Sequence, residues 1–219
     1  MTMRSSGLLA IAALCTTPGL CAVTVEPFNE LRLSVSTETS DVDSTLTLTS
    51  GSGSISLDPF DIDEFDSAWH IEAGWIGNQG LGSSGGLLYG LGLLHKHAEI
   101  EDHDDFDLVY TATGLRAHLG WGYAFTTNLQ LEILPFLGIA ATTAELSLGT
   151  YDDDWDGLYV DAGTDVNLIY TATNGLSIGG GVGFLSSSGS FEDDFSDIDA
   201  EYELEQTVGT ASLYVGMRF

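Results

Sequence analysis

Positive charge is almost missing from this chain. Its 219 residues include 5 Lys and Arg against 33 Asp and Glu, for a formal net charge of −28. Nucleic-acid binding needs a surplus of basic side chains facing phosphates, so that class of partner is excluded. Cysteine is equally scarce: the 2 present, Cys15 and Cys21, both fall near the N-terminus, and no disulfide framework can hold the remainder together. There are 4 Pro and no apolar run of the length a transmembrane helix requires. No helical period is sustained either. Disorder is excluded from the other side, because 43% of residues are hydrophobic, 10% are aromatic and mean hydropathy is +0.14.

Met1 to Ala22 reads as a cleaved export signal. Arg4 supplies a positive start, Gly7 to Cys15 a short apolar stretch, and Pro18-Gly19 a break before the small residues at Cys21-Ala22. Cleavage there leaves a chain, 23–219, without cysteine. Lipidation at Cys21 is the competing reading, and Pro18-Gly19-Leu20 matches its small-residue preference poorly.

The rest of the chain is dominated by period-two alternation rich in Val, Leu, Ile, Tyr and Trp, which predicts strands. Eight segments are legible, at about 29–37, 67–77, 86–98, 107–125, 129–146, 157–172, 176–190 and 201–219. Their connections alternate in kind. Asn78 to Ser84, Thr126 to Asn128 and Thr173 to Gly175 are short, uncharged turns with the Asn and Gly that hairpins use. The other connections, at about 37–66, 99–107, 145–156 and 191–205, are long and hold 27 of the 33 carboxylates. Up-and-down antiparallel strands place odd and even connections at opposite ends, so one end is trimmed and neutral and the other strongly acidic. That sorting fits a membrane barrel with short internal turns and long external loops.

The two faces of each segment agree with this. Leu115, Ala117, Leu119, Trp121 and Tyr123 share one side of the fourth segment, while Arg116, His118, Gly120 and Gly122 share the other. Ile71 and Trp75 oppose His70 and Glu72; Leu213, Val215 and Met217 oppose Tyr214 and Gly216. A soluble barrel would turn its apolar face inward. Here small and polar residues have to face the lumen, so the expected fold is an all-β, eight-stranded antiparallel up-and-down transmembrane β-barrel.

An export signal, eight alternating strands and the ending Tyr214-Val-Gly-Met-Arg-Phe219 resemble the eight-stranded outer-membrane β-barrel superfamily. Its members include the outer membrane protein A transmembrane domain and the OmpX-like and OmpW-like proteins. The resemblance covers nearly the whole mature chain and is one of architecture. It implies an outer-membrane location, contact with outer-membrane lipid and lipopolysaccharide, and recognition of the terminal Phe219 by the barrel-assembly machinery. Met217 stands where an aromatic is usual.

Eight strands enclose a lumen that side chains fill, which disfavours a wide pore. By parity Arg32, Glu72, Arg116, His118, Glu132, Asp161 and Asp165 point inward. They are expected to form a paired network, because unpaired charge away from bulk water is costly. Such a network is either a structural plug or a gate, proton path or catalytic cluster.

Three further patterns carry chemistry. Asp152, Asp154 and Asp156, followed by Gly157, reproduce the opening of a calcium loop, although Gly163 stands where a bidentate Glu is expected; the alternative is a solvated hairpin tip. His95, His97 and His103, among Glu99, Glu101, Asp102, Asp104 and Asp105, form a run that suits a transition metal or simply a wet acidic loop. Gly80 to Gly85 satisfies G-x-G-x-x-G but precedes no helix, and no G-x-S-x-G elbow exists.

The functional expectation is a structural or surface-interaction protein: envelope integrity, adhesion or cation-mediated contact, with Ca2+ at the external loops as the one candidate cofactor. A rim-active enzyme, lipid A-modifying or protease-like, and a narrow small-solute channel are the alternatives. Ten-stranded omptin-like proteases would need Ser44 to Ser50 and Ser54 to Leu57 to span, and these are too short. They read as a small hairpin inside the first external loop.

Overall fold

The computed structural model describes residues 26–50, 53–57, 65–81, 84–103, 106–148, 151–195 and 198–219. The expected export signal, with Cys15 and Cys21, lies outside them. Among the described residues there are nine strands: β1 (Phe28–Ser50), β2 (Gly53–Leu57), β3 (Ser67–Gly80), β4 (Gly85–His103), β5 (Phe106–Ala124), β6 (Leu129–Leu148), β7 (Tyr151–Thr171), β8 (Leu176–Phe195) and β9 (Ile198–Arg218). They form one antiparallel sheet in the order β2-β1-β3-β4-β5-β6-β7-β8-β9, and β1 also pairs with β9. β1 and β3–β9 therefore close an eight-stranded barrel. β2 folds back on the end of β1, pairing Leu46–Ser50 with Gly53–Leu57, as the hairpin reading anticipates. Closure runs from Glu30↔Arg218 to Ser50↔Ile198 and ends in paired backbone bonds between Asn29 and Phe219 at 2.8 and 3.1 Å.

Local sequence sets the short-turn end. Thr126 Oγ1 accepts from the Asn128 and Leu129 amides at 3.2 and 3.0 Å, which folds the β5–β6 turn. Gly175 sits at φ +88° between β7 and β8, and an added Cβ would meet the Arg218 carbonyl. In the wall, Pro135 supplies no N–H, and the β5–β6 pairing is interrupted, with the register unchanged, between His118↔Phe136 and Trp121↔Ile133. Gly120 fills that gap so closely that a Cβ would overlap the Ile133 carbonyl oxygen. Gly120→Ala is expected to destabilise the barrel by about 1–3 kcal/mol through backbone crowding. Urea unfolding in detergent checks this, and a wild-type midpoint would contradict it.

The outer surface carries an apolar belt. Leu31, Leu33, Leu91, Leu93, Leu119, Val182 and Phe184 all face outward, and Leu213 is 74% exposed. The lumen behind the belt is polar and charged. At the end of the barrel away from the short turns, the polarity of both faces inverts. Val42, Ile100, Leu108, Tyr110, Trp155, Phe191, Tyr202 and Leu204 point inward there as one apolar cluster. Their outward neighbours are Asp41, Asp43, Glu99, Asp107, Asp154, Asp156, Glu192, Glu201, Glu203 and Glu205. One barrel thus has lipid-facing construction over one stretch and water-facing construction over the next.

The inversion corrects the expected strand ends. β1 runs to Ser50 rather than 37, β4 to His103 rather than 98, and β7 starts at Tyr151 rather than 157. β8 ends at Phe195 and β9 begins at Ile198. Most of the connections expected at 37–66, 99–107, 145–156 and 191–205 are therefore barrel wall. Residues 51–52, 58–64, 104–105, 149–150 and 196–197 lie outside the described residues.

Candidate functional site: the ionic lumen and the acidic wall

Reading up the inward face of β1 from the short-turn end gives Glu30, Arg32, Ser34, Ser36 and Glu38, and each charge meets partners from other strands. Arg32 clamps Glu132 of β6 through Nη1 and Nη2, donating at 2.9 and 3.3 Å, while its Nε donates to Glu30 at 3.2 Å. Arg218 donates to the other Glu30 oxygen at 3.1 Å and lies over the Phe28 ring. The Tyr214 ring packs under the Arg32 guanidinium, 4.5 Å from its centroid.

A second group lies further up. Arg116 of β5 donates to Glu72 of β3 at 3.2 Å and to Asp161 of β7, with its guanidinium 4.2 Å from the Phe136 centroid. His118 Nε2 lies 2.6 Å from the remaining Glu72 oxygen. Above them Glu38 receives His70 Nδ1 at 2.6 Å and Lys96 Nζ at 2.7 Å. Lys96 also donates to Gln206 at 3.2 Å, and Gln206 Nε2 donates to the Tyr110 hydroxyl at 2.9 Å. Glycines make room for these side chains: a Cβ at Gly92 would strike Glu72, one at Gly138 Asp161, and one at Gly216 Glu30.

Six of the seven residues predicted for the lumen, Arg32, Glu72, Arg116, His118, Glu132 and Asp161, enter ion pairs there. Asp165 forms no salt bridge among the described residues; it faces a cavity of about 40 Å³ that Arg32, Arg116, His118 and Asn167 also line. A space of that size suits a few waters. Sequence reasoning places His70 and Gln206 on the polar face but leaves them out of the charge network, and it leaves out Glu30, Glu38, Lys96 and Arg218 as well. Parity within the expected strands points to all of them except Glu38, which needs β1 extended beyond residue 37.

The metal candidates are placed differently from expectation. Asp154 and Asp156 stand exposed on the outward face of β7, paired opposite Glu145 and Thr143 of β6. The run is extended strand and not a hairpin tip, so the two carboxylates lie in a line, two residues apart, instead of wrapping an ion. Gly157 fits close against the Ser190 carbonyl rather than turning a calcium loop. His95 and His97 face outward on β4, and Trp69 packs against both rings at 5.9 and 5.4 Å. The side chains of Asp152 and His103 lie outside the described residues. Among the described residues no three His, Cys, Asp or Glu converge as metal ligands.

The electrostatic division is sharp. All four described Lys and Arg residues, Arg32, Lys96, Arg116 and Arg218, pair with carboxylates inside the barrel. The outward wall beyond the belt carries carboxylates that face one another across strands: Asp43↔Glu205, Glu145↔Asp154, Asp156↔Glu192 and Glu192↔Glu201. Like charges directly opposite each other are unfavourable unless screened or bridged.

An apolar outward belt, a filled ionic lumen and eight closed antiparallel strands define the architecture of an eight-stranded β-barrel of transmembrane type. Neither a family model nor a curated protein matches the sequence. Among solved structures the chain is similar to Ail, the attachment invasion locus protein of Yersinia pestis, with 12% identity, 86% of this chain and 99% of that chain covered, and a TM-score of 0.41. It is similar also to Neisserial surface protein A (13%, 85% and 95%, 0.41). The outer membrane protein OprG from Pseudomonas aeruginosa gives 9% identity, 90% and 98% coverage and a TM-score of 0.44.

Proposed function

We propose that the protein is exported through its N-terminal signal and resides in the outer membrane, where it serves a structural and surface-contact role. Divalent cations, Ca2+ above all, join its acidic wall to lipopolysaccharide phosphates and other anionic surfaces. The observation that carries this reading is the one-sided wall, with facing carboxylates outside and the basic partners spent on the lumen. A cation held between two such carboxylates relieves their repulsion and leaves charge for an outside anion. The terminal Phe219, sealed to Asn29, is the feature offered to the barrel-assembly machinery.

Thermal unfolding of the protein in detergent, followed by the gel-mobility change on heating, tests the cation role. Calcium at a hundredfold excess over its Kd stabilises a one-site protein by about 2.7 kcal/mol. The expected result is a rise in midpoint that chelator reverses and that sodium chloride at matched ionic strength does not reproduce. Equal midpoints in calcium and matched sodium chloride would refute the cation role. The filled lumen supports a role without conduction, so planar bilayers containing the protein are expected to show no sustained ion current; sustained current would contradict this.

A further inference from the structure

We infer that His95 and His97 form a docking point for the phosphate of an outer-leaflet lipid headgroup. The outward face of β4 reads Leu91, Leu93, His95, His97, Glu99, with Leu91 and Leu93 about 60% exposed as part of the belt. At about 3.3 Å per residue, His95 stands about 7 Å along the strand from the last of these leucines. That is where hydrocarbon gives way to headgroups. Ile71 and Thr113 lie opposite His95, and Trp69 and Thr111 opposite His97. Trp69, packed on both imidazoles, is the amphipathic ring expected at such a boundary.

The two rings are held in place. Thr113 Oγ1 is 2.9 Å from His95 Nδ1, which leaves Nε2 for an outside acceptor. His97 Nε2 is 3.6 Å from Glu99, the carboxylate next above it. With the described Lys and Arg and both His70 and His118 turned inward, His95 and His97 are the basic side chains on the described outer wall. Glu99 on β4 and Asp107 on β5 repel phosphate further up, and leucines exclude it further down. Among the described residues a lipid phosphate meets an imidazole N–H at this level alone, through a charge-assisted bond at the edge of the low-dielectric belt. One docking point on one side of the barrel also fixes which face meets a phosphorylated lipid.

The test uses the whole protein in phosphatidylcholine nanodiscs in mildly acidic buffer. Spin-labelled phosphatidic acid and spin-labelled phosphatidylcholine report the lipid at the protein surface. Phosphatidic acid is expected to be enriched about fivefold over phosphatidylcholine. His95→Gln/His97→Gln should bring the ratio to parity, and His95→Lys/His97→Lys should keep it. Equal enrichment in wild type and the Gln variant would overturn the proposal. So would displacement of the lipid by inorganic phosphate, which would mark a site for free anion, or by zinc, which would mark a chelate. On the unaltered chain, the His95 and His97 ring resonances should move between phosphatidylcholine and phosphatidic acid discs, and unmoved resonances would equally overturn it.

Discussion

Replacing Arg116 by Ala is expected to destabilise the barrel more than any substitution in the outer wall, by about 3–5 kcal/mol. Arg116 is the shared partner of Glu72 and Asp161, and it is 2% exposed. Without it two carboxylates remain in a lumen that offers little water. The cost comes from stranding charge rather than from losing an attraction, and this has a testable corollary. Glu72→Gln and Asp161→Asn introduced together with Arg116→Ala remove the stranded charges and should recover a large part of the loss. Unfolding midpoints of the single and triple variants in detergent measure both effects. An unchanged midpoint for Arg116→Ala would mean that the network is not what holds the lumen closed.

The second large effect is expected at the apolar end. Phe191 is buried against Tyr110 and Tyr202, with ring centroids 6.2 and 6.1 Å apart. Phe191→Ala should cost about 3–5 kcal/mol, as for a large aromatic removed from a water-excluded core. Leu213→Ala, on the apolar belt, is the contrast: it changes an exposed outward side chain and leaves no cavity. If the two substitutions cost the same, the inward cluster beyond the belt is not a packed core. Amide exchange adds a second view, because Phe191→Ala should loosen β8 and β9 near Glu192 and Glu201 while sparing the belt.

How much of this was legible in the sequence depends on which half of the barrel is considered. Through the belt, outward Leu213, Val215 and Met217 against inward Tyr214 and Gly216 give strand, face and barrel type from alternation alone. Strand parity likewise places Arg32, Glu72, Arg116, His118, Glu132 and Asp161 in the lumen. Beyond the belt the period stays at two and only the sign of the pattern changes, as in Glu201, Glu203 and Glu205 outward against Tyr202 and Leu204 inward. Searching for apolar residues on the outer face cuts β1, β4, β7 and β8 short near where that sign changes, and carboxylates on a strand then look like carboxylates in a loop. Glu38, one residue past the expected end of β1, falls in the first acidic connection for this reason. The pairing itself, such as Lys96 with Glu38 or Arg218 with Glu30, depends on the register between strands distant in sequence, and no single segment contains it.

The central claim is that one barrel is lipid-facing over its belt and water-facing beyond it. Because the only cysteines lie at positions 15 and 21, replacing both by Ser lets single cysteines be introduced elsewhere without background. Spin labels at Leu93, Leu119, Val182 and Leu213, in protein folded into lipid vesicles, should be more accessible to dissolved oxygen than to a water-soluble nickel complex. Labels at Thr49, Glu192 and Glu203 should show the reverse. Preference for the nickel complex at all seven positions would contradict the account and make the apolar belt a surface that meets water or protein instead of lipid.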